Sequence, residues 1–388
     1  MKNQILKRVG AILLCLLMVM TPTFSVNAVP AQSNDPSFDL NCTSAILMEA
    51  TTGAVLYEKN ADQPLPPASV TKIMTLLLVM EAIESGSAKL SDTVTASAYA
   101  SSMGGSQIYL KEGEQMPLED MLKSVIIASA NDCAVALAEH IAGSEEVFVA
   151  RMNERAGELG MVNTNFENTN GLDDTAQNHV TSARDIAIMS RELIKYEKVL
   201  EYSSKWMDTV RNGEFGLTNT NRLVRFYSGI TGLKTGSTAK AGFCISATAK
   251  RDGMSLIAVI MNSPTRDERN NAAKTLLDWG FANFTLFSDT PKLPDAVRVT
   301  GGKSPYCKIT ADSFSAVVEK GSASKIVPSA DLPESLTAPL AAGDEVGRIK
   351  YSLNGKTVGE ISVRASESVE KISFADVWGR ILGVLFMR

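Results

Sequence analysis

Apolar residues recur with two different periods along the chain, and these periods separate a helical middle from strands on either side. Alternating apolar positions in 44–58 predict a hairpin, and the apolar segments in 241–263 predict two further strands joined by a tight turn. Between them the spacing is mostly helical, with one helix expected from about Ser69 and another over 182–194. We therefore predict an α+β fold whose first and last strands share one sheet.

The pattern changes after about residue 288. Helical spacing fades, and short β-type segments follow, including a strong hairpin signal at Asn354-Gly355. We therefore predict two domains, a larger one over 36–287 and a small β-rich one over 289–365. No internal repeat is apparent.

The first 28 residues have the organisation of an export signal. Three basic residues precede a short apolar run at 10–20, and Val26-Asn27-Ala28 resembles a signal-peptidase site. We expect cleavage after Ala28 and an exported protein. The alternative is an uncleaved N-terminal anchor, which the shortness of the apolar run disfavours.

The last segment, 366–388, combines helical spacing with a large apolar face. That face contains Phe374, Val377, Trp378, Ile381, Leu382 and Leu385. The segment is too short to cross a bilayer, so we predict an amphipathic helix that lies in the membrane interface. This would hold the exported protein at the extracytoplasmic face of the cytoplasmic membrane. The alternative is a terminal helix packed on its own domain.

Composition excludes several classes of function. With 45% hydrophobic and 21% charged residues, the chain is typical of globular proteins. The net charge of −5 and the absence of a basic stripe disfavour nucleic-acid binding. Only His140 and His179 are present and there is no H-E-x-x-H motif, so we predict neither a metal site nor another cofactor. An enzyme of this composition is expected to use a base other than histidine.

Four cysteines follow the predicted signal: Cys42, Cys133, Cys244 and Cys307. In an exported protein they could pair in any of three ways, and the sequence does not choose among these. Cys133 and Cys244 lie in apolar segments, which favours small buried side chains over disulfides.

Three short motifs carry candidate chemistry. They are Ser69-Val70-Thr71-Lys72, Ser129-Ala130-Asn131 and Lys234-Thr235-Gly236. Residues three apart on a helix project from one face, so Ser69 and Lys72 are expected side by side. A serine hydroxyl needs a base, and lysine can be that base when burial or a second cation lowers its pKa. Lys234 is the candidate second cation.

The other motif residues have complementary predicted roles. Ser129 can relay a proton, and Asn131 can hold both a substrate amide and the Lys72 amine. Each motif alone has a structural alternative, such as a helix cap, a solvated lysine or the start of a strand.

The third motif supplies groups that would bind an anionic substrate. Lys234 and Thr235 can bind a carboxylate, and the N–H groups of Ser69 and Ser237 are candidates for an oxyanion hole.

The order and context of these motifs resemble those of low-molecular-mass penicillin-binding proteins, specifically the serine-type D-alanyl-D-alanine carboxypeptidases of peptidase family S11. The matching stretches are PPASVTKIMTLLL, IIASANDCAVALAEHIAGS, NTNGLDDTAQNHVTSARDIA and GLKTGSTAKAGFCISATAKR. The resemblance extends over nearly the whole chain after the predicted signal. It implies a penicillin-binding-protein/β-lactamase-like domain, with a helical cluster on an antiparallel sheet, a small β-rich domain and a terminal anchor helix.

The resemblance also implies roles for individual residues. Ser69 would be the acylated nucleophile, Lys72 its base, and Ser129 part of the proton network. The substrate-binding residues would be Asn131, Lys234, Thr235, Gly236, Ser237 and Arg269, with Arg266 as a nearby competitor for the last position. The implied substrate is a peptidoglycan stem pentapeptide ending in D-Ala-D-Ala. β-Lactams would be covalent inhibitors, and removal of D-alanine would limit cross-linking.

Three other functions remain open at this point. A class A-like β-lactamase would share the fold, and Glu167 superficially resembles its deacylating glutamate. However, the spacing is one residue short, and 289–388 exceeds the usual single domain. An inactive wall-binding or penicillin-sensing scaffold is disfavoured by three intact motifs. A transpeptidase or endopeptidase is distinguished least well. His179, close to this loop, is expected to be structural.

Overall fold

A computed structural model describes residues 36, 39–173 and 176–386, and the predicted export signal lies outside this range. The strands are β1 (Ser44–Glu49), β2 (Val55–Lys59), β3 (Thr93–Thr95), β4 (Gln115–Pro117), β5 (Met207–Val210), β6 (Phe215–Thr218), β7 (Ile230–Thr238), β8 (Gly242–Arg251), β9 (Met254–Ser263), β10 (Phe284–Asp289), β11 (Ala296–Thr300), β12 (Tyr306–Ala311), β13 (Phe314–Glu319), β14 (Ile326–Asp331), β15 (Ser335–Thr337), β16 (Glu345–Leu353) and β17 (Lys356–Ala365). The α-helices are α1 (Lys72–Glu84), α2 (Ala98–Ser101), α3 (Leu118–Lys123), α4 (Asn131–Ala142), α5 (Glu145–Glu158), α6 (Ala183–Leu193), α7 (Glu197–Ser203), α8 (Leu223–Phe226), α9 (Arg266–Asn283) and α10 (Phe374–Phe386).

A five-stranded antiparallel sheet organises the first part of the chain, with strand order β2-β1-β9-β8-β7. Successive side chains of a strand point to opposite faces, and both faces of this sheet are covered. On β9, Ile257 and Val259 join the core beneath the helical cluster, whereas Leu256 and Ala258 join the core beneath α9. The prediction that early and late strands share one sheet is therefore confirmed.

The helical cluster contains helices that are buried almost all round. In α1 the side chains from Lys72 to Leu77 are all buried, and in α4 those from Asn131 to Ala138 are buried too. A helix enclosed in this way holds its polar residues inside the protein, where each one needs a partner. Lys72 and Asn131 both occupy such positions.

The start of the first predicted helix differs from the sequence-based expectation. Ser69 lies in a 3₁₀ turn, Ala68–Thr71, and the α-helix begins only at Lys72. Two glycines pack closely on this turn. A Cβ on Gly171 would overlap the Ala68 carbonyl, and one on Gly236 would lie 2.8 Å from the Ser69 nitrogen. The tight turn therefore fits between the backbone segments that contain Gly171 and Gly236. The helical pattern of the local sequence does not predict these contacts.

The later part of the chain forms the predicted β-rich structure. Six strands pair in the order β14-β16-β17-β12-β11-β15, and β10 pairs with β13. Phe314 and Tyr351 stack at its core with ring centroids 4.0 Å apart. The β16–β17 turn has positive φ at both Asn354 and Gly355, as a two-residue hairpin of type I′ requires.

The four cysteines are all buried and free, so none of the three possible pairings is formed. Cys133 and Cys244 have no exposed surface, as predicted for small side chains in apolar segments.

At the other end of the described range, α10 has no buried residue, and Trp378, Ile381 and Leu382 are 48%, 45% and 45% exposed. Within the described part of the chain, no helix has both the length and the apolarity that a membrane crossing requires.

Candidate active site

The Lys72 amine lies at the centre of the site. It is fully buried, and its Nζ is 2.9 Å from Ser69 Oγ, 2.6 Å from Asn131 Oδ1 and 2.7 Å from the Asn170 carbonyl oxygen. A neutral amine can donate to the two oxygens of Asn131 and Asn170 while its lone pair accepts the Ser69 hydroxyl proton. The arrangement therefore suits a base that activates serine.

Burial holds the pKa of Lys72 well below its usual value of 10.5, and the nearby Lys234 cation lowers this pKa further. The Asp132 carboxylate acts in the opposite direction. Asp132 is itself buried and accepts hydrogen bonds from the backbone N–H groups of Ile108, Leu110 and Cys133. The net effect favours a neutral, basic amine at Lys72.

The second lysine reaches the site from β7. Lys234 Nζ donates to Ser129 Oγ at 2.8 Å, and burial followed by repulsion from Arg269 lowers the pKa of Lys234 to about 7. Ser129 follows a π-helical turn, Ser124–Ala128, and has a left-handed backbone with φ of 65°. The chain changes direction sharply at Ser129, two residues before α4 begins. This turn points the Ser129 hydroxyl towards the Lys234 amine.

A cleft of about 610 Å³ opens onto these groups. Its lining includes Ser69, Ser129, Thr235, Gly236, Ser237 and Arg269. The structure thus brings residues of all three motifs together. Ser69, Ser129, Thr235 and Gly236 line the cleft. The side chains of Lys72, Asn131 and Lys234 are buried beside it. Arg269 is 2% exposed, and Asn270 and the Cys244 carbonyl hold its guanidinium, whereas Arg266 is exposed.

Several cleft residues lie outside the predicted motifs. Thr220 Oγ1 accepts a hydrogen bond of 2.8 Å from Thr235 Oγ1, and Arg222, Arg225 and Trp206 also line the cleft. Asn170 contributes its backbone carbonyl, which accepts a hydrogen bond from Lys72. Residue type does not indicate such a contact. The stretch NTNRLVRF does carry two arginines, but nothing local indicates that it lies beside β7.

In the loop before α6, Glu167 and His179 have structural roles and do not belong to the cleft lining. Glu167 accepts hydrogen bonds from the backbone N–H groups of Gln177 and Asn178, so its carboxylate holds the loop. His179 is 6% exposed; its Nδ1 accepts from the Glu167 N–H and its Nε2 lies 2.7 Å from Thr71 Oγ1. Nε2 therefore carries the ring proton, and His179 supports the turn that contains Ser69.

A serine and two buried lysines above an antiparallel sheet define the class of serine acyl-transfer enzymes that includes the penicillin-binding proteins. Residues 29–265 match the family model of D-alanyl-D-alanine carboxypeptidase, and residues 281–371 match the C-terminal domain of penicillin-binding protein 5. The chain belongs to the D-alanyl-D-alanine carboxypeptidase family of peptidase S11.

Two of the relatives resemble the chain over most of its length, and a third resembles the part that carries the candidate site. It is 40% identical to D-alanyl-D-alanine carboxypeptidase DacF of Bacillus subtilis, over 95% of this chain and 96% of that one. Penicillin-binding protein 5 of Haemophilus influenzae superposes with a TM-score of 0.77 and 33% identity, covering 87% of this chain and 99% of that one. Penicillin-binding protein D2 of Listeria monocytogenes, in its ampicillin-bound form, has a TM-score of 0.59 and 31% identity over 63% of this chain and all of that one.

The environment of His179 makes the stability of the protein depend on pH. Burial lowers the pKa of His179 from 6.5 to about 4, so the unfolded state binds the proton more readily between these values. Stability from this residue is present above pH 6.5 and falls as the pH drops towards 4. Between pH 7 and pH 4.5 we expect His179 to contribute a loss of about 2–3 kcal/mol to the free energy of unfolding, measured by urea denaturation as the difference between the wild type and a variant without this histidine.

The His179→Gln variant should lose less stability over the same interval, by about that amount. His140→Gln, at an exposed histidine, is the matched control and should keep the wild-type difference. An undiminished loss in His179→Gln would contradict the assignment.

Proposed function

We propose that the protein hydrolyses the terminal D-Ala-D-Ala bond of peptidoglycan stem pentapeptides through an acyl-enzyme on Ser69. The observation that carries this proposal is the buried Lys72 amine, 2.9 Å from Ser69 Oγ and held by two further oxygens. Removal of the last D-alanine takes away the pentapeptide form of the stem and so limits cross-linking of the cell wall.

In the proposed first step, Ser69 Oγ attacks the carbonyl carbon of the penultimate D-alanine and transfers its proton to Lys72 Nζ. The C–N bond then breaks, and the leaving amine receives a proton through Ser129 and Lys234. Water next attacks the ester and releases the shortened peptide. A β-lactam would acylate Ser69 in the same way, with its opened ring still attached to the protein.

We propose that the residues of the third motif and the side chains around it bind the substrate. Lys234, Thr235 and Arg269 would bind the terminal carboxylate, and Asn131 would hold the substrate amide. Gly236 allows β7 to approach the Ser69 nitrogen closely, which suits an oxyanion hole made by the N–H groups of Ser69 and Ser237.

The alternative functions lack comparable support. A class A-like β-lactamase would use a glutamate to deacylate the enzyme, and the Glu167 carboxylate, the residue that superficially matches it, instead caps its own loop. Lys72 and Lys234 are both buried, and none of their described hydrogen bonds is to a carboxylate. Such burial is costly, and an inactive scaffold would have no need of it. The relatives named above are carboxypeptidases and penicillin-binding proteins.

We also propose the domain limits and the location of the protein. Residues 1–28 would be a signal peptide, 36–287 the catalytic domain, 289–365 a small β-rich domain and 366–388 the membrane anchor. The exposed apolar face of α10 supports the last of these, because such a surface is stabilised by contact with lipid. The protein would act at the extracytoplasmic face of the cytoplasmic membrane.

The Ser69→Ala variant should lose covalent labelling by a fluorescent penicillin, because no other hydroxyl lies beside the Lys72 amine among its described hydrogen bonds. Labelling is measured by gel fluorescence and by the mass of the intact protein. Ser106→Ala, at another serine of the same cleft, is the control and should still be labelled. Persistent labelling of Ser69→Ala would show that a different residue is acylated.

The Lys72→Arg variant should release D-alanine at least about 100-fold more slowly than the wild type, because a guanidinium stays protonated and cannot act as a base. Release is measured with a pentapeptide ending in D-Ala-D-Ala. Lys89→Arg, at an exposed lysine, tests the same substitution away from the site and should have wild-type turnover. A Lys72→Arg enzyme with most of its activity would reduce Lys72 to a structural role.

The double variant Trp378→Asp/Leu382→Asp should no longer sediment with vesicles that contain phosphatidylglycerol, whereas the wild type should. Each substitution places a charge on the apolar face of α10, where burial in lipid would be costly. The control Val162→Asp/Val327→Asp changes exposed apolar residues outside the helix and should sediment normally. If a protein lacking 372–388 still sediments, the anchor lies elsewhere.

A further inference from the structure

The active-site cleft has more positive charge than one substrate carboxylate requires. Four arginines line it, namely Arg222, Arg225, Arg266 and Arg269, and no aspartate or glutamate belongs to the lining. None of these arginines takes part in an ion pair among the described residues. In a protein whose net charge is −5, this wall of the cleft therefore has unneutralised positive charge.

The additional arginines lie on the side of the cleft that receives the leaving group. Thr220 is hydrogen-bonded to Thr235, so the segment that leads to Arg222 runs beside β7. Arg222 and Arg266 line the same cleft as Arg269. Burial, and then repulsion from these two cations, lowers the pKa of Arg269 to about 10. Thr235 and Arg269 are proposed to hold the terminal carboxylate. Arg222 and Arg266 therefore lie next to the C-terminal amino acid, which is the leaving group.

The cleft is also large for a leaving D-alanine, which offers one methyl group and one carboxylate. Its volume of about 610 Å³ falls in the range that encloses much larger ligands. Within its lining, the Arg225 guanidinium lies over the Trp206 ring at 5.7 Å and over the Phe226 ring at 5.5 Å. These contacts hold the cation in place without neutralising its charge.

We propose that Arg222 and Arg225 form a second anion subsite, which binds a further carboxylate on the leaving group. The protein would then hydrolyse D-alanyl bonds to acidic D-amino acids as well as to D-alanine. The bond that breaks joins the D-alanyl carbonyl carbon to the nitrogen of the acidic residue. Ser69 takes the acyl group, the departing amine gains a proton, and water later releases the acid from the ester. The inference rests on the proposed roles of Ser69, Thr235 and Arg269.

The test uses acetylated peptides that end in D-Ala-D-Ala, D-Ala-D-Glu or D-Ala-D-Gln. D-Glu and D-Gln have nearly the same shape and differ in side-chain charge, so the ratio of their kcat/KM values isolates the effect of the second carboxylate. We expect the wild type to favour D-Glu at least about five-fold, and less so at high salt, because screening weakens exposed charge pairs.

The double variant Arg222→Gln/Arg225→Gln should have a ratio near one. Because each ratio is taken within one protein, a general loss of activity cancels. Arg298→Gln, at an exposed arginine of β11, is the matched control and should keep the wild-type ratio.

The outcomes separate this inference from the proposed function. If no D-Ala-D-Ala peptide is hydrolysed, the proposed function fails, and the inference fails with it. If that peptide is hydrolysed but D-Glu and D-Gln are equivalent, or if the double variant keeps the preference, the anion subsite alone is wrong.

A final substrate distinguishes two sources of the carboxylate. The dimer to use is one cross-linked through a diamino dicarboxylic acid, in which one carboxylate lies next to the scissile nitrogen and the second is left free for Arg222 and Arg225. Cleavage of the dimer with the same arginine dependence would support a cross-link as the source, whereas a preference confined to the D-Glu peptide would support a free acidic D-amino acid.

Discussion

The proposed chemistry of this protein depends on one lysine amine that the fold shields from water. Lys72 has no exposed surface, and its hydrogen-bond partners are a hydroxyl, an amide oxygen and a backbone carbonyl rather than a carboxylate. A cation in such a place is costly, so the neutral amine is favoured. Lys234, buried a short distance away, adds repulsion and increases that preference. In the proposed mechanism, this neutral buried amine accepts the proton from Ser69.

Much of the fold serves this arrangement. The helix that carries Lys72 is enclosed on nearly every side, and β7 brings Lys234 along the edge of the sheet. Gly171 and Gly236 allow two backbone segments to pack on the turn that contains Ser69. The second anion subsite would use the same framework, because the segment before α8 is attached to β7 through Thr235.

The sequence predicts the parts of the site that have side-chain signatures. The three motifs, the shared sheet and the terminal β-rich structure follow from local patterns, and the order of the motifs indicates the family. The contribution of Asn170 could not be predicted, since a backbone carbonyl leaves no trace in residue type. The 3₁₀ turn at Ser69 and the contact between Thr220 and Thr235 depend on segments distant in sequence. Local periodicity does not encode such contacts.

The most direct test of this account is the protonation state of Lys72 itself. In protein labelled with 13C-lysine, the Cε signal of Lys72 can be assigned by its absence from the Lys72→Arg spectrum and then followed as the pH is raised. We predict a midpoint well below the value of 10.5 usual for lysine. A midpoint at or above that value would mean that the amine is a cation under working conditions, and Lys72 could not be the base that activates Ser69.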